Sequence, residues 1–344
     1  MKIVHFECGL GNQMASFANY LLVKENNPDD EVCIEDLIYR IDRGNIGVNQ
    51  WNGFELKDIF GIDLPNVMDA VQDKESLLAF MEQEHKNNGG QNNSYSAVIA
   101  LRKAGLDFEV AGVYQQESKE DGIRTRLKHT IRRYVISSSG NRVSYHIKRM
   151  AFTSLRRHRK YNTAVFSNSD KDLYYPLSFD VMKNIGSLKP VESKLRKSLT
   201  FPSISDGVNK AVAERISNCN SVSIHVRRSD FLQYNSDCYR YGFFKRAVNY
   251  MRRHTCEPEF FIFSEDSEWC KTHKEELGLF DSDKVCIVDW NKGAKSYIDM
   301  QLMSMCRHNI ITKSSFGWWG AYLNSNPDKI IVSQVSEYYS KVYI

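Results

Sequence analysis

Two adjacent arginines close an apolar run in Ser221 to Phe231, S-V-S-I-H-V-R-R-S-D-F, where Val222 to Val226 reads as a buried strand. His225, Arg227, Arg228 and Asp230 stand at or just past its end. Successive strand residues point to opposite faces, so one guanidinium can reach a ligand while the other packs elsewhere. Arginine suits paired contacts to phosphate oxygens; a structural ion pair, with Asp230 fixing a guanidinium, is the alternative. A second apolar run leads into Ser314-Ser315 and a helical pattern, K-S-S-F-G-W-W-G. Serine is a good N-cap, and the free N–H groups of a helix start bind phosphate. Gly317 and Gly320 permit close approach, and Trp318 and Trp319 read as core. A third run, Phe260 to Cys270, ends in Ser264-Glu265-Asp266, where the carboxylates either bind ribose hydroxyls or base N–H groups or cap the next helix. Asp299 lies on the helical stretch before the Ser-Ser strand. Near the N-terminus Gly9-Leu10-Gly11-Asn12-Gln13 follows a short strand and opens a helix. A dinucleotide fingerprint needs a further glycine where Met14 stands, so a nicotinamide or flavin enzyme is disfavoured. Asn12 and Gln13 instead offer neutral amides. Asp281-Ser282-Asp283 precedes a strand and reads as a turn, on the wrong edge for a metal-held substrate.

These residues need a scaffold that brings strand ends together. From Ser221 onward, strand candidates Val222 to Val226, Phe260 to Phe263, Val285 to Val288, Ile310 to Thr312 and Ile330 to Val332 alternate with helical stretches. Such alternation predicts right-handed crossovers and a parallel sheet with ligands at the strands' carboxyl ends. In the first half, Lys2 to Phe6 and Val32 to Ile34 read as strands. Met14, Phe17, Ala18, Leu21 and Leu22 mark one helix face. Asn87 to Ser96 reads as a loop, and Ala97 to Leu101 and Glu109 to Tyr114 as further strands. The boundary falls near residue 200, giving an N-terminal domain 1–200 and a C-terminal Rossmann-like domain 201–344.

The 344 residues carry 46 Lys+Arg and 42 Asp+Glu. Twelve of the basic residues, with no acidic one, fall between Arg124 and Lys160, so the remaining body is acidic. The block mixes Ile147, Met150, Phe152 and Leu155 with arginines and lysines, which suits an anionic lipid surface or a solvated helix face. No nucleic-acid-binding motif accompanies it, and nucleic acid is not expected as a partner. No apolar stretch is long enough to span a bilayer, and the N-terminus lacks a secretory signal. The eight cysteines form no C-x-x-C pair and read as small buried hydrophobes of a reducing compartment. A cytoplasmic protein, peripheral on the inner membrane through 124–160, is the expectation.

Taken together, G-L-G-N-Q-M, H-V-R-R-S-D-F, F-S-E-D-S-E-W-C and M-C-R-H-N-I-I-T-K-S-S-F-G-W-W-G-A-Y-L-N resemble, in this order, the bacterial α-1,2-fucosyltransferases of glycosyltransferase family 11. The resemblance implies a GT-B-type α/β fold, two Rossmann-like domains facing a cleft. It also implies inverting transfer of L-fucose from GDP-β-L-fucose to the 2-hydroxyl of a galactose-terminated oligosaccharide or lipid-linked glycan, with no metal and no cofactor beyond the donor. Arg227 matches the grip on the β-phosphate and Asp230 is grouped with it as catalytic. Asn12, His225, Glu265, Asp266, Asp299, Ser314 and Ser315 match or border donor-binding positions, with Asp299 placed to read guanine. Glu7, Glu117 and Asp230 are candidates for the base by position. Cys8 stands where the family commonly has glycine, after Glu7, and this departure lies on the acceptor side. A transferase using another GDP-sugar and a non-catalytic nucleotide-sugar-binding protein are the alternative functions.

Overall fold

The computed structural model describes residues 1–42, 52–90, 93–111, 169–228, 231–232, 239, 241–334 and 339–343. Asp230, Glu117, the basic block 124–160 and the end of the Glu109 to Tyr114 run lie outside these residues. The described residues fall into two units, 1–111 with 169–202, and 203–343.

In the first unit four described strands, β1 (Lys2–His5), β2 (Val32–Glu35), β3 (Glu109–Val110) and β4 (Leu173–Tyr175), form a parallel sheet in the order β2-β1-β4-β3. Around it stand α1 (Leu10–Asn26), α2 (Glu55–Phe60), α3 (Lys74–Asn87), α4 (Asn93–Lys103), α5 (Asp180–Lys183) and α6 (Glu192–Ser198). The expected strand Ala97 to Leu101 is helical, part of α4. Asn93, Ser96, Ala97, Ala100 and Leu101 are buried at three- and four-residue spacing, a helix period that a five-residue apolar run cannot reveal. The expected loop 87–96 is correspondingly shorter, because α3 runs to Asn87 and α4 begins at Asn93. Ile3, Leu37, Leu77, Met81, Leu101, Phe108 and Tyr174 share one core.

Strand β1 passes into α1 within five residues. The turn requires Cys8 to adopt a left-handed conformation, φ 67°. The side chains of Gln13 and Tyr39 tie it down by donating to the Cys8 carbonyl at 3.0 and 2.5 Å. Glycine reaches this region without steric cost, whereas an L side chain is strained there.

The second unit contains α7 (Gly207–Ser217), β5 (Asn220–Val226), α8 (Phe243–His254), β6 (Pro258–Ser264), α9 (Ser267–Thr272), α10 (Lys274–Leu277), β7 (Val285–Val288), α11 (Tyr297–Met305), β8 (His308–Ile311), α12 (Ser315–Leu323), β9 (Ile331–Ser333) and β10 (Val342–Tyr343). The strand order β10-β9-β8-β5-β6-β7, parallel throughout, is the Rossmann order. The central strand β5 is buried on both faces, apolar on one and lined by Ser221, Ser223 and His225 on the other. Val222, Ile224 and Val226 of β5 pack with Phe260, Ile262, Ile310 and the Phe244–Val248–Met251 stripe of α8. The chain leaves β5 outward through β6 and β7, then crosses back to β8. The switch point, where a ligand crevice opens, therefore lies between the carboxyl ends of β5 and β8.

Because Cys8 keeps its unusual backbone only through its surroundings, Cys8→Val should destabilise the protein by about 1–3 kcal/mol, while Cys8→Gly stays close to the parent. Denaturant melts of the two variants check this.

Candidate functional site

Residue 227 follows β5 directly, and its neighbour shows how the two arginines divide their work. Arg228 is locked. Its backbone N–H donates to Glu265 at 2.6 Å and its Nε to Asp266 at 2.9 Å. Its guanidinium lies 3.7 Å from the Trp269 ring centre and 4.9 Å from that of Tyr239. Asp266 also caps α9 by accepting from the Trp269 N–H at 3.2 Å. Asp266 thus performs the capping and pairing alternative. Arg227, on the other side, lies 3.8 Å from Glu265 and 6.0 Å from the Phe231 ring centre, and its side chain keeps 22% exposure. Its carbonyl accepts from the Tyr239 hydroxyl at 2.5 Å, which fixes the backbone from which the guanidinium extends.

Across the switch point, β8 runs through Thr312 into Ser314, the N-cap of α12. The Ser314 N–H turns back to the Thr312 carbonyl at 2.8 Å, and the Ser314 side chain makes no capping bond. The first-turn N–H groups of a helix have no acceptor within it, and no acidic residue occupies the first turn of α12. The positive end of that helix is therefore not neutralised by a carboxylate of its own turn.

His225 joins the two sides. It is buried, and its Nδ1 lies 3.4 Å from the Thr312 hydroxyl. Burial, with the nearby Arg227 charge, pushes its pKa down to about 3, so the ring is neutral across the working range and adds no positive charge. Its fit against α12 depends on Gly317, since a Cβ there would come within 2.5 Å of the His225 Nδ1. Gly320 does the same one turn on, where a Cβ would meet that of Met303 at 3.0 Å and push α11 from α12. Trp318 and Trp319 are buried, Trp318 donating to the Tyr339 carbonyl at 3.1 Å.

Asp299 stands in the first turn of α11. Burial raises its carboxyl to about 7, although the Asn291 amide donates to it at 2.8 Å. Behind it runs a buried amide pair that sequence reading missed. Asn209 Nδ2 donates to Asn291 Oδ1 at 2.8 Å, Asn291 Nδ2 to Asn209 Oδ1 at 3.0 Å, and the Trp290 indole to the same Asn209 oxygen at 2.9 Å. Asparagines in a helix and a loop carry no spacing signal, so only the fold reveals the pairing.

The first unit has the opposite character. Asn12 lies in the first turn of α1, but the start of that helix is already served by an acid. Glu55 Oε2 accepts from the Leu10 N–H at 3.1 Å, and Gln13 Oε1 in return accepts from the Glu55 N–H at 2.8 Å. A pyrophosphate at this glycine turn would face the Glu55 carboxylate. At the carboxyl end of the sheet His5 is fully buried between two acids. Its Nδ1 bonds Glu35, which also accepts from the Tyr174 hydroxyl at 2.8 Å and the Leu37 N–H at 2.7 Å. Burial lowers the His5 pKa, but Glu35 and then Glu7 more than reverse this and hold it at about 10. Nothing in the composition announces this network; His5, Glu35 and Tyr174 are 30 to 169 residues apart in pairs.

The D-x-D turn is held by protein partners, with Asp283 accepting from Arg252 Nη2 and from the Phe280 N–H, each at 2.6 Å. Among the described residues no cluster of His, Cys, Asp and Glu is arranged to hold a metal ion. None of the described helices is long and apolar enough to cross a membrane.

Comparison with known proteins places these features in context. The model of glycosyl transferase family 11 matches residues 83–342. An alpha-1,2-colitosyltransferase of Escherichia coli is 35% identical over 121 residues, 34% of this chain and 40% of that protein. The O-antigen biosynthesis glycosyltransferase WbnK of the same organism is 33% identical over 121 residues, 34% of this chain and 38% of that one. The aligned segment thus spans less than half of each of these relatives. Among solved structures, the fucosyltransferase NodZ from Bradyrhizobium has 14% sequence identity and a TM-score of 0.43 over 93% of this chain and 91% of that one.

Two outcomes follow from the geometry. Gly317→Ala should cost about 1–3 kcal/mol in a denaturant melt through overpacking against His225. The folded His5 holds its proton up to about pH 10, while the unfolded chain releases it near 6.5. Its stabilising contribution is complete below pH 6.5 and is lost as pH rises towards 10. His5→Asn should therefore flatten the fall of Tm across that window.

Proposed function

We propose, from the premise that this chain belongs to glycosyl transferase family 11, that it transfers L-fucose from GDP-β-L-fucose to the 2-hydroxyl of a terminal galactoside with inversion, in surface-glycan or O-antigen synthesis. The observation that carries the reading is the electropositive switch point of the second unit, where Arg227 ends β5 and the acid-free start of α12 follows β8. Two sources of positive potential converge there, as a diphosphate leaving group requires.

In this reading the two units form a GT-B-type enzyme with the donor on the second. The C1–O bond to GDP breaks through an oxocarbenium-like state while the acceptor hydroxyl enters from the opposite face. Charge builds on the β-phosphate, where Arg227, the start of α12 and the Ser314 and Ser315 hydroxyls stabilise it more than they do the ground state. His225 contributes shape and a neutral ring, leaving the phosphate charge to Arg227. Asp299, steadied by Asn291, receives the N–H groups of guanine, and Glu265 borders the donor while restraining both arginines. Asn12, in the first turn of α1, keeps its place as a donor-binding candidate. Asp230, outside the described residues, keeps its place with Arg227 as a catalytic candidate. The basic block 124–160 brings the enzyme to an anionic membrane surface carrying a lipid-linked acceptor. The relative named for colitosyl transfer favours one second reading, a GDP-sugar donor other than GDP-fucose.

The test is transfer by the purified chain from GDP-fucose to methyl β-D-galactoside, with the product linkage read by NMR and other GDP-sugars run alongside. GDP should raise the Tm, and Arg227→Ala should cut kcat/KM about 100-fold, the loss of roughly 3 kcal/mol of transition-state stabilisation. Parent-like turnover in that variant would remove Arg227 from the diphosphate.

A further inference from the structure

Glu7 immediately precedes Cys8 in the β1–α1 turn, and the fold invests several contacts in it. It lies two residues beyond β1, at the carboxyl edge of the first sheet, immediately before the left-handed Cys8. Its Oε2 accepts from Asn93 Nδ2 at 2.7 Å, and Asn93 is itself held through Oδ1 by His85 Nδ1 at 2.9 Å. His5 Nε2 lies 3.6 Å from the same oxygen; this nitrogen is buried and forms no hydrogen bond within the described structure. Glu35 and Tyr174 fix the far side of the His5 ring. All of these contacts gather on one oxygen. Among the described residues Oε1 has no hydrogen-bond partner, and the side chain keeps 16% exposure. A carboxylate that only stabilised the fold would be expected to use both oxygens, because a partly buried charge without partners is costly. Here one oxygen is anchored from two sides and the other is presented at the sheet edge, where ligands of parallel α/β units bind.

We propose that Glu7 is an acceptor-binding residue of the first unit, its Oε1 receiving a hydroxyl of a neutral sugar and its charge excluding acidic sugars. The inference rests on the galactoside-transfer reading. His5 and Asn93 are positioning residues, which hold the carboxylate without touching the sugar. Ionised carboxylates accept strong hydrogen bonds from hydroxyls, and a fixed negative charge repels a carboxylate-bearing analogue of the same shape.

Kinetics with methyl β-D-galactoside and methyl β-D-galacturonide, which differ at C6, decide the matter. Glu7→Gln should raise the KM for the galactoside about tenfold or more, the size of a lost charged hydrogen bond. It should also narrow the preference for the neutral sugar and leave the GDP-induced Tm shift unchanged. Asn93→Ala, which frees the carboxylate without removing it, should raise the same KM by less and keep the preference for the neutral sugar. This second variant carries the test if the first does not fold. An unchanged galactoside KM in either folded variant, or an unchanged preference in Glu7→Gln, overturns the role of Glu7 and leaves the transfer reading standing. No GDP-induced shift and no transfer by the parent protein overturns both.

Discussion

Strand alternation past the end of β5 is the constraint on which the second unit's site depends. Consecutive side chains must leave the sheet on opposite sides, so the Arg227-Arg228 pair cannot act as a double clamp. One arginine has to be structural. Arg228 takes that part completely, with a carboxylate, a second acid on its backbone N–H, and two aromatic rings around its guanidinium. Arg227 instead lies 3.8 Å from Glu265 and keeps 22% exposure. The acids Glu265 and Asp266 together commit the Arg228 backbone and guanidinium to the fold.

The two units resolve the same physical problem, a helix N-terminus after a strand, in opposite ways. At α1 the protein supplies its own anion, Glu55, and reinforces it reciprocally through Gln13. At α12 no acid stands in the first turn, and the cap serine leaves its hydroxyl without a capping bond. The G-L-G turn therefore looks like a nucleotide loop in sequence and is not one in electrostatics. The signal that separates the two is Glu55, distant in sequence and visible only once α2 is folded against α1. This asymmetry supports the proposed placement of a diphosphate on the second unit.

Much of the second unit was legible because buried parallel strands are short, uninterrupted apolar runs, and every strand expected from Val222 to Val332 overlaps an observed one. Gly317 and Gly320 were legible as close-approach positions, though not their partners, His225 and Met303. The first unit was less readable. Ala97 to Leu101 misled because five apolar residues fit a strand or a buried helix equally well. Strand β4 was missed because three residues, Leu173–Tyr175, carry almost no periodicity. The candidate residues around Arg227 came from motifs at strand ends. The His5–Glu35–Tyr174 network and the Asn209–Asn291 pair did not, since each assembles from segments whose separation in sequence carries no information about their contact.

Cys8 shows how a departure from a family pattern can be absorbed without a change of fold. The backbone still takes the conformation that glycine would favour, φ 67°, so the geometric demand of the β1–α1 turn has not relaxed. The cost is met by Tyr39 and Gln13, which hold the Cys8 carbonyl from two elements. A glycine at this position would make that turn flexible as well as unstrained. The grip on the Cys8 carbonyl fixes the turn that residue 7 immediately precedes. The same few residues that carry strain thus also carry a carboxylate anchored by Asn93 and faced by a buried imidazole. Strain of this kind persists only where the surroundings over-determine the backbone. Glu7, the neighbour of Cys8, is an ordered acid at the sheet edge, held by Asn93, so the turn fixes a carboxylate as well as a backbone.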